Sequence, residues 1–171
     1  MASVPGISLR NVCKTYRGRG ADVVALKGLD LDCPAGTFTA LIGPSGCGKS
    51  TAMRIALGLE DHDSGEVRIA GQAPAVATAS GITGVAFQDA ALLPWRSVAR
   101  NIALPLEVLG RDPARSGPEI SKLIELVGLT GYENALPGQL SGGMRQRVSI
   151  ARALITAPKG SSMNRTSGAV I

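Results

Sequence analysis

The stretch Gly43-Pro44-Ser45-Gly46-Cys47-Gly48-Lys49-Ser50-Thr51 decides what this 171-residue chain can form. It follows the apolar run 38–42 and precedes a helical pattern over residues 52–57. A strand, a glycine-rich turn and a helix in this order predict a P-loop. A chance glycine turn before a helix is the plainer alternative, and the spacing of the whole motif between these flanking patterns disfavours it.

The chemistry of this stretch is that of anion binding. Glycines let the backbone turn tightly and direct several N–H groups at a phosphate. The start of the following helix adds unpaired N–H groups and the positive end of its dipole. Lys49 supplies a full charge for the outer phosphates, and the hydroxyl of Ser50 suits the Mg²⁺ that accompanies a nucleoside triphosphate.

Composition limits the other classes of function. The chain is long enough for a domain with a core, with 44% hydrophobic and 18% charged residues. Its net charge of +5 fits phosphates, anionic lipid or nucleic acid. Aromatic residues make up only 3%, too few for base-stacking platforms, so we expect no nucleic-acid partner. We also expect no signal peptide and no membrane span, so that a membrane role requires a partner.

The remaining pattern predicts an α/β sheet around the P-loop, because strand and helix signals alternate. Predicted strands cover residues 7–12, 23–26, 29–32, 38–42, 66–70 and 84–87, and a loop covers 72–80. Ser97 is expected to cap a helix whose apolar face is interrupted by Pro105. Further helices are expected over 118–127 and 144–155. Their apolar positions, with those of the Ser97 helix, are Val98, Ile102, Leu106, Leu109, Ile120, Leu123, Ile124, Val127, Val148, Ala151 and Ile155.

A second glycine-rich helix start is Leu140-Ser141-Gly142-Gly143-Met144-Arg145-Gln146. A hydroxyl, flexible backbone N–H groups and a helix N-terminus together suit an anion. An ordinary serine N-cap is the alternative. The presence of a P-loop upstream favours the anion-binding interpretation.

With both motifs, the sequence resembles the ATP-binding subunits of ABC transporters over about residues 7–159. Gly43–Thr51 is similar to the Walker A loop, and Leu140–Gln146 to the ABC signature. The resemblance implies ATP and Mg²⁺ as cofactors, with Ser50 and the Q-loop residue Gln88 at the metal and Tyr16 stacked on adenine. It implies a P-loop NTPase domain over residues 1–159 with a helical subdomain at about 90–145.

The resemblance also implies partners. A second ATP-binding subunit pairs head to tail, so that Ser141, Gly142 and Gly143 act on the nucleotide of the partner. Transmembrane permease subunits would meet the apolar loop 92–95, which could equally be a core segment. The chain would then be peripheral on the cytoplasmic side of the inner membrane, and a periplasmic binding protein would deliver the solute. Within the family, the sequence looks most like the nitrate/sulfonate/taurine importers. This likeness depends on Gln88-Asp89, the loop 92–95 and Met144.

The sequence departs from the family after Lys159. The family continues with a Walker B strand, an Asp for magnesium and a catalytic Glu, and later a switch histidine. Here residues 160–171 form an atypical tail, with Asn164 and Arg165 at the acidic positions. We therefore expect a C-terminally truncated or altered member, incomplete in fold, that binds ATP and hydrolyses it poorly. The alternatives are an ABC-type ATPase of DNA repair or chromosome work, and a non-functional fragment.

Overall fold

The computed structural model describes residues 5–18, 20–37 and 39–156, which form two compact units, 5–80 and 81–156. The tail 160–171, with Asn164 and Arg165, lies outside the described residues. In the part of the chain that is described, no helix has both the length and the apolar character needed to cross a membrane.

The first unit is built on a three-stranded antiparallel sheet in the order β2-β1-β3. Its elements are β1 (Pro5–Tyr16), β2 (Val23–Pro34), α1 (Lys49–Ala56), β3 (Ser64–Ile69) and α2 (Pro74–Ala79). The strands predicted at 7–12 and 66–70 are confirmed, and the two predicted at 23–32 are one continuous strand. Leu9 and Val12 of β1 are fully buried, as are Ile55 of α1 and Ile69 of β3.

Three predictions of strands and loops, two in the first unit and one in the second, are wrong. Residues 39–42 form no strand, and the side chain of Ile42 is 94% exposed. Residues 85–87 form no strand either, and Phe87 is half exposed. An interior strand exists only where neighbouring strands complete its hydrogen bonds, and no described strand pairs with either segment. The expected loop 72–80 contains α2, which begins at Pro74, a residue suited to the first helical position.

The second unit is helical. It contains α3 (Val98–Val108), a 3₁₀ turn (Pro113–Ser116), α4 (Gly117–Leu126), a second 3₁₀ turn (Pro137–Gln139) and α5 (Gly142–Leu154). The helices share one apolar core, whose members are Val98, Ile102, Ala103, Leu106, Ile120, Ile124, Leu129, Leu140, Val148, Ala151 and Ile155. The three predicted helices are thus confirmed. The helical subdomain at about 90–145 falls inside this unit and stays a prediction as a domain assignment.

Pro105 does not interrupt α3, contrary to the prediction. A proline removes one backbone hydrogen bond within a helix and crowds the preceding turn. Here Ile102 and Leu106 are buried on either side of it, so that core packing holds the helix through that position. The Ser97 hydroxyl caps α3 as predicted and accepts a hydrogen bond from the Arg100 N–H at 3.4 Å.

Candidate functional site

The P-loop runs directly into α1. Gly48 is the N-cap of that helix and has φ of 90°, a left-handed conformation that a residue with a side chain rarely adopts. The Ala52 N–H donates to the Gly48 carbonyl at 2.8 Å, the first hydrogen bond of the helix. No side chain caps α1. The N–H groups of its first turn are therefore available to an anion.

Lys49 places its positive charge inside this loop. Its Nζ donates to the carbonyls of Gly43 and Pro44, each at 2.7 Å, and lies 3.5 Å from the Cys47 Sγ. The loop residues Gly43, Pro44, Ser45, Gly46 and Cys47 are exposed, as is Ser50 in the first turn of α1. Ammonium, unpaired N–H groups and a hydroxyl are thus collected at one accessible helix start, a donor set that suits a triphosphate with Mg²⁺.

Protein side chains alone do not form a metal site in the described residues, since no group of three or more His, Cys, Asp or Glu could hold an ion there. Beside a nucleotide, Mg²⁺ takes phosphate oxygens and waters in addition to one or two protein ligands. Ser50 belongs to the first unit and Gln88 to the second.

Tyr16, at the end of β1, lies beside the start of α1. Its Oη is 3.3 Å from the Oγ1 of Thr51, and the residue is 38% exposed. Tyr16, the residue expected to stack on adenine, therefore lies beside the helix that follows the P-loop, within the first unit.

The second glycine-rich motif is a helix start in the second unit. Ser141 is the N-cap of α5, and its hydroxyl accepts a hydrogen bond from the Met144 N–H at 3.2 Å. The plainer alternative, a serine N-cap, therefore describes its local geometry. Gly142 and Gly143 are exposed, and Leu140 before them is buried and fixes the helix start to the core. Capping and anion binding are compatible, because the capping oxygen leaves the hydroxyl proton free to donate.

Residues 87–91, which carry Gln88, are held by side chains of α5. The amide nitrogen of Gln146 donates to the Phe87 carbonyl at 3.0 Å. The Arg152 guanidinium donates to the Ala90 and Ala91 carbonyls at 2.7 and 3.0 Å. Burial lowers the pKa of the Arg152 guanidinium, because removal from water disfavours the charged form. Gln88 itself is exposed.

Sequence reasoning missed these anchoring roles of Gln146 and Arg152. Both side chains contact residues about 60 positions away along the chain, and the helical pattern of α5 records only its apolar positions. In the sequence, the one signal was an arginine between two alanines, at 151–153 of a predicted helix.

A groove of about 680 Å³ lies on the surface of the second unit. Trp95, 73% exposed, stands at its rim, and α3 and the 3₁₀ turn at 113–116 line it. The loop before α3 is fixed by Asn101, a fully buried residue that the sequence analysis also missed. Its side-chain oxygen accepts from the Leu93 N–H at 2.8 Å, and its amide donates to the Arg96 carbonyl at 2.8 Å. The loop 92–95 is thus partly packed and partly presented to solvent.

Known proteins with similar sequences include several that are named as ATP-binding proteins. The chain is 43% identical over 166 residues to a Brucella abortus protein named as ATP-binding, covering 97% of this chain and 62% of that protein. It is 43% identical to a methionine import ATP-binding protein of Bacillus licheniformis, covering 90% and 47% of the two chains. It is 38% identical to a spermidine/putrescine import ATP-binding protein of Thermobifida fusca, covering 98% and 44%. The chain thus spans less than two thirds of the length of these relatives.

Among solved structures, the chain superposes with a TM-score of 0.77 on the ATP-binding cassette MJ0796, solved as a dimer in a post-hydrolysis state bound to ADP and Pi. The two are 35% identical, over 89% of this chain and 70% of that one. The profile of the ABC transporter family matches residues 26–160. Since that match covers most of the chain and includes both glycine-rich motifs, the chain belongs to the ABC transporter family, as an ATP-binding cassette with the P-loop fold.

Proposed function

We propose that this chain is the ATP-binding subunit of an importer and couples the binding of MgATP to movement of transmembrane permease subunits. The observation that carries the proposal is the P-loop at the start of α1. There the Lys49 ammonium and the uncapped helix N-terminus lie together at an accessible surface. The names of the methionine and spermidine/putrescine relatives support import as the direction.

The proposed nucleotide contacts are shared among a few groups. The backbone of residues 43–48 surrounds the phosphates, Lys49 neutralises the outer ones, and Ser50 with Gln88 ligates Mg²⁺. The Tyr16 ring stacks on adenine. These contacts bind and orient ATP.

Binding of ATP to the purified chain tests this proposal, with Lys49→Ala as the informative variant. We expect the variant to lose ATP affinity by at least about tenfold, because a charge-assisted contact to phosphate is worth roughly 1.5–3 kcal/mol. Lys122→Ala, which removes an exposed lysine from α4, is the matched control and should bind as the wild type does. Unchanged affinity in Lys49→Ala would contradict the proposal.

Hydrolysis also requires a general base that accepts a proton from the attacking water. At the two positions where the family resemblance expects an Asp and a Glu, this sequence has Asn164 and Arg165, and neither side chain is a carboxylate. We therefore propose that a polypeptide of these residues binds ATP without efficient turnover. Phosphate release at rates ordinary for an ATPase, abolished by Lys49→Ala, would overturn this part of the proposal.

Two glycine-rich helix starts suggest a paired assembly. In the proposed dimer, Ser141, Gly142 and Gly143 of one subunit donate to the phosphates bound at the P-loop of the other. The dimeric state of the MJ0796 cassette supports this arrangement.

The groove beside Trp95 is the proposed docking site for a permease helix on the cytoplasmic side of the membrane. An exposed indole, an apolar floor from Ala99 and Ala103, and a rim salt bridge between Arg96 and Glu107 at 2.7 Å suit an amphipathic helix. Co-purification with the permease should fall when Trp95 is replaced by Asp. Undiminished co-purification would contradict this assignment.

The solute is proposed only as a small molecule. The narrower nitrate/sulfonate/taurine class depends on Gln88-Asp89, the loop 92–95 and Met144, and the relatives with a named solute do not support it. A periplasmic binding protein is part of the same proposal. Uptake assays in cells with and without the gene decide between anionic, zwitterionic and cationic solutes.

A further inference from the structure

Two side chains near the end of β1 lie on the same side of the strand, because residues two apart in a strand point the same way. They are Lys14 and Tyr16, and the Lys14 Nζ lies 5.4 Å from the centroid of the Tyr16 ring. A cation at this distance from an aromatic ring is attracted to the negative charge of its face. Lys14 is well covered, with 15% of its side chain exposed.

The Lys14 ammonium is fixed by the turn that follows α1. It donates to the Asp61 carbonyl at 2.7 Å and lies 3.6 Å from the Glu60 carboxylate. The same turn is tied to β1 a second time, since the Asp63 carboxylate accepts from the Thr15 N–H at 2.6 Å. The position of the cation is therefore set by several contacts.

The Tyr16 ring is in this way connected to both ends of α1. Its hydroxyl meets Thr51 at the start of the helix, and the cation near its ring is held by residues beyond the end of the helix. Helix α1 starts at the last part of the P-loop. These two connections therefore fix the ring relative to the phosphate-binding loop, all within the first unit.

We propose that Lys14 is a positioning residue of the adenine subsite, and this inference rests on the proposed function. Through its ammonium, Lys14 holds the Tyr16 ring at the place where a base can stack while its phosphates occupy the P-loop. Lys14 touches no phosphate in this arrangement. Its contribution is confined to the base, so it raises affinity for ATP and leaves affinity for a bare triphosphate unchanged.

The test is a comparison of two ligands, MgATP and magnesium tripolyphosphate, by titration calorimetry. Lys14→Gln keeps a donor for the Asp61 carbonyl and removes the charge, and Lys14→Met removes both. We expect each to bind MgATP about three- to fivefold more weakly, the range that a cation–π contact accounts for, and to bind tripolyphosphate as the wild type does. Lys14→Arg should retain ATP affinity, since a guanidinium also stacks on aromatic faces.

Two further variants complete the design. Lys27→Met, which removes an exposed lysine of β2, should leave both affinities unchanged. Lys14→Gln combined with Tyr16→Ala should bind ATP no more weakly than Tyr16→Ala alone, because Lys14 acts through the ring. Equal loss for both ligands, additive losses in the double variant, or unchanged ATP affinity in Lys14→Gln would each overturn the inference.

The same titrations separate this inference from the function on which it rests. If Lys49→Ala binds both ligands as tightly as the wild type does, the nucleotide site itself is assigned wrongly. If Lys49→Ala loses both ligands while the Lys14 variants fail to distinguish them, only the role of Lys14 is refuted.

Discussion

At the scale of single residues, Gly48 shows how tightly the phosphate-binding loop is packed. A Cβ atom at this position would collide with the Ala25 carbonyl oxygen and would lie 2.8 Å from Leu26 Cδ2. The loop backbone therefore rests directly on β2. Gly46, two residues earlier, has a similar φ of 83°, and a Cβ atom there would meet nothing within 4 Å.

These two glycines give a matched pair of substitutions. Gly46→Ala should lower the free energy of unfolding by about 1 kcal/mol, the cost of a left-handed conformation alone. Gly48→Ala carries that cost and a steric clash with the β2 backbone, so we expect a loss of about 3 kcal/mol. Urea unfolding of both variants measures the difference. Equal losses would show that the loop does not rest on β2.

The residues of the two glycine-rich motifs could be predicted from sequence because their signals are local. Glycines at fixed spacing before a helical pattern identify a helix start. Helix α1 begins at Lys49 and α5 at Gly142, three and two residues before the predicted helical patterns at 52–57 and 144–155. Lys14 could not be identified in this way. Its partner Asp61 is 47 positions away in sequence, and only the folded chain brings the two together.

At the scale of elements, α5 organises the second unit. Its N-terminus carries the signature residues, one face fills the core, and its polar side chains hold residues 87–91. Ala91 has φ of 42°, a left-handed conformation costly for a residue with a side chain. Its N–H donates to the Asp89 carboxylate at 3.2 Å, and its carbonyl accepts from Arg152. The segment with Gln88 thus depends on α5 for its conformation.

Arg152→Met tests that dependence. The variant keeps the length of the side chain and loses hydrogen bonds to two carbonyls, so we expect the free energy of unfolding to fall by about 2 kcal/mol, allowing for partial exposure. Arg147→Met is the matched control on the same helix. Arg147 is exposed, and its bond to the Val127 carbonyl is long, at 3.4 Å, so its loss should cost less than about 0.5 kcal/mol. Similar losses in the two variants would contradict the anchoring role of Arg152.

Helices were predicted more accurately than strands, for a physical reason. The apolar faces of α3, α4 and α5 are visible in their own sequence, since each helix completes its hydrogen bonds internally. A strand does not. The runs at 39–42 and 84–87 have the composition of buried strands, and whether they pair depends on other strands of the sheet. The antiparallel pair of β1 and β2 was predicted correctly because the two strands are close in sequence.

At the scale of the whole molecule, the two glycine-rich helix starts lie in different units. The first holds the P-loop and Tyr16, and the second holds the signature and Gln88. Neither Ser141 nor its neighbouring glycines is needed to bind ATP at the P-loop in the proposed function. In that proposal the signature contacts ATP only when a second subunit presents it, so pairing is the central claim.

The direct measurement of this claim is the molecular mass of the chain in solution, by light scattering, with and without MgATP. Ser141→Asp is the decisive variant, because aspartate caps a helix as well as serine does and adds a negative charge where phosphates would approach. Ser97→Asp makes the same exchange at the N-cap of α3 and serves as control. We predict that MgATP doubles the mass of the wild type and of Ser97→Asp, while Ser141→Asp binds ATP with unchanged affinity and remains a monomer. A wild type that stays monomeric when saturated with MgATP, or a Ser141→Asp variant that pairs normally, would contradict the account.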